Sequence, residues 1–268
     1  MFRKLCLSVV VAVVLAPAVL AQTVDEIIAK NIEARGGLDK IKSVQTMRST
    51  GKMEFGPGME APGVFVQKRP NMSRLDFTVQ GLTATQAYDG KSGWAIMPFT
   101  GKKDPESMTA DDTKEMEEDG DIDGPLVDYK AKGNQVELVG KEKVEGTDAY
   151  KLKVTLKNGD VKYIYLDTDS GLEIKEESKR MVRDTEQETE TSLSDYREVN
   201  GLMFPFATQT SIKGSPQAQK LTIEKIELNV PVDDAGFKMP AVAPKPAAAP
   251  AVKSEASKPE EKKEPPKN

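Results

Sequence analysis

Histidine is missing from this 268-residue chain, and its single cysteine, Cys6, falls inside an N-terminal stretch built like an export signal. Without those two residue types, imidazole bases, thiol nucleophiles, disulfides and the usual zinc or copper sites are excluded from the rest of the chain. Long apolar runs are also few. The longest, Leu5 to Leu15, is shorter than the roughly 20 residues that a membrane-spanning helix needs. Arg3 and Lys4 precede it, Pro17 breaks it, and Val19-Leu20-Ala21 reads as a cleavage site before Gln22. Residues 1–21 are therefore expected to be a leader cut after Ala21, leaving a soluble periplasmic protein. A lipid-anchored protein would need cysteine after the cut, where Gln22 stands.

A positive charge excess is lacking too. The chain holds 38 basic and 43 acidic residues, a formal net charge of −5. Arg3, Lys4 and six lysines after residue 240 lie outside the expected folded part, which is more acidic still. Nucleic acid is excluded as a partner on that ground, because phosphate binding requires a basic footprint. About 220 residues can bury one sizeable core without disulfides.

What is present is alternation. Thr23 and Glu26 have capping-box spacing, and Val24, Ile27, Ile28 and Ile32 share one helical face, so residues 23–35 are predicted helical up to Gly36-Gly37. A short second helical turn is expected around Leu38–Ser43. From Gln45 the period becomes two. Met47, Ser49, Gly51, Met53 and Phe55 alternate with polar residues, as do Ser73, Leu75, Phe77 and Val79, and Tyr150, Leu152, Val154 and Leu156. Asn158-Gly159 between two such runs predicts a hairpin with a type I′ turn. Roughly eleven strands are expected between Gln45 and Val230, in antiparallel order because no helical patterns separate them.

Asp104 to Lys132 is read as an acidic interruption of the sheet that carries a capped helix at Thr109–Glu118. Residues 241–268, rich in Pro, Ala, Lys and Glu, cannot bury enough apolar surface to order and are expected to form a disordered tail. The folded domain is thus placed at residues 22–240.

Candidate chemistry is thin. Asp119, Asp121, Asp123 and Gly124 match the start of a calcium loop, yet the closing bidentate Glu is replaced by Lys130, so a solvated acidic loop is the better reading. Ser49-Thr50-Gly51-Lys52 has the spacing of a Ser-x-x-Lys nucleophile, but on a strand the two side chains face opposite ways. Gly56-Pro57-Gly58 is a turn, not a phosphate cradle. No catalytic residue, metal or cofactor is assigned. One bent antiparallel sheet with so little helix cannot have its concave face fully covered, and an apolar hollow of that kind is a binding site by default.

Several segments resemble the bacterial outer-membrane lipoprotein-sorting proteins, the LolA/LolB-like group. They are the helix Val24-Asp25-Glu26-Ile27-Ile28-Ala29-Lys30 ended by Gly36-Gly37, the strand start Val44-Gln45-Thr46 and the run Gly124-Pro125-Leu126-Val127-Asp128-Tyr129. To these add Tyr163-Ile164-Tyr165-Leu166-Asp167 with Gly171-Leu172, and Asp195-Tyr196-Arg197-Glu198-Val199-Asn200-Gly201-Leu202-Met203-Phe204-Pro205. The resemblance covers about residues 23–240. It implies a mainly β fold, an unclosed antiparallel half-barrel whose apolar concavity, lidded by helices, holds acyl chains.

The leading expectation is therefore a non-enzymatic periplasmic carrier for a lipid or lipoprotein in outer-membrane sorting, with a membrane-associated donor or acceptor protein as a further partner. Phe55, Phe65, Phe77, Trp94, Leu152, Tyr163 and Phe204 are the expected lining of the groove. Helix 24–35 and the 109–130 insertion are the expected lids. Two alternatives stand beside it, an envelope protein that acts through its Lys/Glu tail and a hydrolase that uses carboxylates alone.

Overall fold

A computed structural model describes residues 22–56, 58–182 and 185–241. The expected leader and the expected tail from residue 242 onward lie outside the described residues.

Two helices open the domain, α1 (Val24–Ala34) and α2 (Leu38–Ser43). The capping box forms as the spacing predicts. The Thr23 amide donates to Glu26 Oε2 at 2.8 Å, and the Glu26 amide donates to Thr23 Oγ1 at 3.3 Å. Between the helices Gly36 has φ +116°, and a Cβ there would sit 2.2 Å from the Gly201 carbonyl oxygen, so only glycine lets the chain approach that turn.

Six strands follow: β1 (Thr46–Glu54), β2 (Glu60–Lys68), β3 (Met72–Val79), β4 (Leu82–Tyr88), β5 (Gly93–Met97) and β6 (Lys102–Ser107). Next come α3 (Ala110–Asp119) and α4 (Tyr129–Lys132). Seven more strands complete the domain: β7 (Gln135–Val144), β8 (Thr147–Thr155), β9 (Val161–Asp167), β10 (Glu173–Val182), β11 (Thr185–Val199), β12 (Leu202–Ile212) and β13 (Ala218–Leu228). All belong to one antiparallel sheet in the order β6-β5-β4-β3-β2-β1-β13-β12-β11-β10-β9-β8-β7, which is not closed into a barrel. Among the described residues the strand count is thirteen, against the roughly eleven expected. Residues 104–107 of β6 lie inside the stretch from Asp104 to Lys132 that is expected to interrupt the sheet. The strand's Lys102, Lys103, Asp104 and Pro105 show no apolar alternation because it is an edge strand, where charge and proline discourage further pairing.

The topology has a functional consequence. The two sheet edges, β6 and β7, are neighbours in the chain, and the segment that joins them carries α3 and α4. Helix α3 packs on β3, β4 and β5, while α1 and α4 pack on β7. The helices thus lie on one face of the sheet, called the inner face below.

Helix α1 buries Ile27 and Ile28 against Leu152, Val154, Ile164 and Leu166, with Leu126 from the α3–α4 segment completing the cluster. Each buried isoleucine contributes about 1.5–3 kcal/mol by removal from water. Val127, Ile41, Val44 and Leu202 form the adjoining cluster beneath α2. The β8–β9 hairpin differs in detail from its prediction. Leu156 pairs with Asp160 across three loop residues, and Gly159 alone has positive φ, the form with a type I turn and a glycine bulge. No helix among the described residues is long and apolar enough to cross a membrane.

Candidate functional site

The inner face is set by strand register. On β1 the residues Met47, Ser49, Gly51 and Met53 pair across to Gln67, Phe65, Gly63 and Ala61 of β2, and Phe65 in turn opposes Leu75 of β3. Since side chains alternate sides along a strand, these all project to one face. From β13, Leu221, Ile223, Ile226 and Leu228 face the same β1 residues. Ile223 and Ile226 are three apart and would normally point opposite ways. A register shift between Thr50 and Gly51 brings both to the inner side.

These side chains enclose a hollow of about 380 Å³, lined by Met47, Ser49, Met53, Phe65, Leu75, Leu221, Ile223 and Ile226, with Phe204 and Pro205 of β12 at one side. It lies toward the low end of the range for small-ligand pockets, about 300–1,000 Å³. Four polar residues interrupt the apolar wall, Ser49 and Thr50 from β1, Gln67 from β2 and Asp119 from the last position of α3. Asp119 as a residue is exposed, but crowding of its carboxyl by surrounding protein first, then repulsion from Glu115, raise its pKa to about 7.

Beside the apolar cluster under α1, the inner face at β9 and β10 carries charge. Lys162 of β9 lies between Glu118 of α3 at 3.1 Å and Glu176 of β10 at 3.3 Å. Arg180 of β10 pairs with Glu115 at 3.5 Å. A wider cavity of about 740 Å³ opens there on the far side of α3, lined by Lys114, Glu117, Glu118, Lys132 and Lys162. Although larger and bordered also by Pro70, Pro125 and Leu156, it carries the Lys162–Glu118 and Lys132–Asp121 pairs together with Lys114, Glu117 and Lys157, so an alkyl chain there would lie against charge. The hollow under β1–β3 is the apolar one.

The acidic run is used as structure. Asp121 pairs with Lys132, and Asp123 is bound by Arg69 at 2.5 and 3.0 Å and by Lys42 at 2.7 Å. Burial would raise the Asp123 pKa, but hydrogen bonds from Arg69 and Lys42 override it and hold the carboxyl down at about 2. Arg69 also donates to the carbonyls of Val44 and Ile41, so one guanidinium ties the α3–α4 segment to α2. Among the described residues no group of three or more Asp or Glu side chains is placed to hold a metal ion.

No protein-family model matches this sequence, and no curated protein does. Solved structures do match. A LolA superfamily protein from Nitrosomonas europaea superposes with a TM-score of 0.56 at 14% identity, covering 81% of this chain and 98% of that one. A DUF1329 family protein from Desulfovibrio piger gives a TM-score of 0.55 at 13% identity, over 80% of this chain and 97% of the other. A domain from Vibrio parahaemolyticus described as an outer membrane lipoprotein-sorting protein gives 0.53 at 12% identity, over 78% and 94%. This chain has the LolA fold.

Within that LolA fold the seven expected lining residues separate into four groups. Phe65 and Phe204 line the hollow. Phe55 and Phe77 lie beside it, in a cluster that shares Met53 and Leu221 with its wall, their ring centroids 6.4 Å apart. Leu152 faces inward but is fully covered by α1, at 0% exposure.

Trp94 and Tyr163 are corrections. Leu152 pairs with Ile164, which puts Tyr163 on the opposite, outer face, where the Lys151 ammonium stands 5.0 Å from its ring centroid. Trp94 pairs with Ala87, which opposes Arg74, also on the outer face. Its indole N–H donates to the Phe237 carbonyl at 2.7 Å, so the tryptophan anchors the segment after β13. A Trp94→Phe substitution should leave that carbonyl unpaired, cost about 1–3 kcal/mol of stability in urea denaturation, and leave ligand binding on the inner face unchanged.

Residues that the sequence reading did not place in the lining include Met47, Met53, Leu75, Leu221, Ile223 and Ile226. The alternation along β1 flagged the first two as inward. The β13 pair could not be found that way, because the register shift breaks the period.

Proposed function

We propose that this chain is an exported, non-catalytic carrier that shelters acyl chains of a lipid or lipoprotein in the hollow bounded by β1–β3, β12 and β13. The observation that carries this reading is the apolar wall itself. The inner face at β8 and β9 is closed by α1 and its partners, yet about 380 Å³ between β1–β3, β12 and β13 stays unfilled by the protein's own side chains. Moving methylenes from water into such a hollow yields about 0.8 kcal/mol for each CH₂. Ten of them would supply near 8 kcal/mol, before the entropic costs of binding are subtracted.

The shared fold supports the same reading, since one structural neighbour is described as a lipoprotein-sorting domain. On this proposal Phe65 and Phe204 contact the acyl chain, and Phe55 and Phe77 extend the wall toward its end. The place of action is the periplasm, reached through a leader cut after Ala21, with transfer to or from a membrane-associated protein.

The test is to express the full chain in a Gram-negative host, purify it from the periplasm and record native mass spectra beside solvent extracts. Lipid adducts of acyl-chain mass, matched in the extract, are expected. Folded protein of bare mass with no lipid in the extract would overturn the proposal.

A further inference from the structure

The hollow's polar lining consists of Ser49 and Thr50 on β1, Gln67 on β2 and Asp119 on α3, and the last two form a chemically lopsided pair. Gln67 is 6% exposed and lines the hollow. Its Nε2 donates to the Asp119 carbonyl at 2.5 Å, while its Oε1 is buried without any hydrogen-bond partner. Turning the amide over would not relieve this, because it would set Oε1 against the Asp119 carbonyl oxygen and leave a donor unpaired instead. A buried acceptor with no donor is a standing cost that water or a ligand must offset. Beside it Asp119, an exposed residue, also borders the hollow, and among the described residues its carboxylate forms no ion pair. Both groups accept hydrogen bonds. Neither offers a cation.

We infer that the hollow selects amphiphiles whose head group donates hydrogen bonds (an ammonium, a hydroxyl or an amide N–H) to Gln67 Oε1 and Asp119, over those that end in a carboxylate. This deepens the carrier reading and rests on it, since the alkyl part must occupy the apolar wall for the head to reach this pair.

The charges around Asp119 point the same way. Facing it are Glu115 and Glu118 from its own helix, Lys162 from β9 and Arg180 from β10. Both cations are already engaged, Lys162 by Glu118 and Glu176, and Arg180 by Glu115. Among the described residues an incoming carboxylate would find two acceptors, the Ser49 hydroxyl and no unengaged cation to balance its charge. An ammonium would find an unpartnered oxygen and a carboxyl that is ionised above about pH 7. An amide N–H or hydroxyl stands between the two, with one donor to give and no charge to desolvate.

The experiment uses three twelve-carbon probes that differ only in the head, namely dodecylamine, dodecanol and dodecanoate. Each is titrated calorimetrically into the purified full chain after delipidation at pH 8, where Asp119 is mostly ionised. Dodecylamine is expected to bind tightest, dodecanol next, and dodecanoate on the order of tenfold or more weaker than the amine. Asp119→Asn keeps the shape and removes the charge, so it should shrink the amine–carboxylate gap to a few-fold. Gln67→Met removes the buried acceptor at similar volume and should weaken dodecanol while sparing the apolar contribution.

Circular dichroism of each variant establishes that it is folded, and the isosteric Asp119→Asn carries the test if Gln67→Met does not fold. Equal affinity for all three heads, or tightest binding of dodecanoate, would overturn the head-group inference while leaving the hollow as an alkyl site. Binding of none of them would overturn both.

Discussion

Asp123→Ala is expected to lower folding stability by about 3–5 kcal/mol, the usual cost of removing one partner from a buried ion pair. Asp123 is 3% exposed and receives Arg69 through both carboxylate oxygens and Lys42 through one. Without it the Arg69 guanidinium, itself largely covered, would remain charged beside the carbonyls of Val44 and Ile41 with no anion to balance it. The lower end of the range is favoured by Lys42, which is open enough to be solvated.

The same group sets an acid limb. Its folded-state pKa, about 2, lies below the ordinary aspartate value of about 3.8, so the stabilisation is fully present above about pH 4 and is lost as pH falls through 2. A depression of this size is worth about 2 kcal/mol. Urea midpoints measured from pH 5 down to pH 2 should therefore decline steeply for the parent chain and more shallowly for Asp123→Asn. Parallel curves would show that this carboxylate does not control the limb.

Ile223→Trp should have the largest effect on binding. Ile223 projects from β13 into the apolar hollow, so an indole there takes the space of several ligand methylenes. Losing contact with three of them forfeits about 2.4 kcal/mol, on the order of fifty-fold in affinity. Because the added atoms enter unoccupied space rather than a packed core, stability should change little. Trp94→Phe is the matching control, since it alters an equally large aromatic contact on the outer face. Affinity measured by displacement of a fluorescent fatty probe should fall only in the first variant.

Much of the architecture was legible because local signals agreed. The Thr23–Glu26 box, the Met47–Met53 alternation and the Asn158-Gly159 reversal each demand one kind of local structure, and the fold uses all three. The candidate site was only partly legible, for three physical reasons. Strand β9 is apolar or aromatic on both sides through Tyr163, Ile164, Tyr165 and Leu166, so its sequence does not say which side is inner. The pairing of Ile164 with Leu152 does. Trp94 looked like groove lining because large apolar residues are usually inside, but this one is buried on the outer face by a segment about 140 residues later in the chain, which no local pattern reveals. Finally, Gln67 and Asp119 carry no sign of a hollow in their own neighbourhoods. A polar residue on a strand and the last acid of an acidic helix become lining only because α3 crosses the inner face between the two sheet edges.

The most direct test of the central claim, that the unfilled wall under β1–β3, β12 and β13 binds alkyl chains, is a calorimetric series of n-alkylamines from eight to sixteen carbons. Affinity should rise about fourfold with each added methylene until the hollow is full and then level off, with a negative heat-capacity change that grows along the same series. Affinity independent of chain length, with no heat-capacity change, would contradict it.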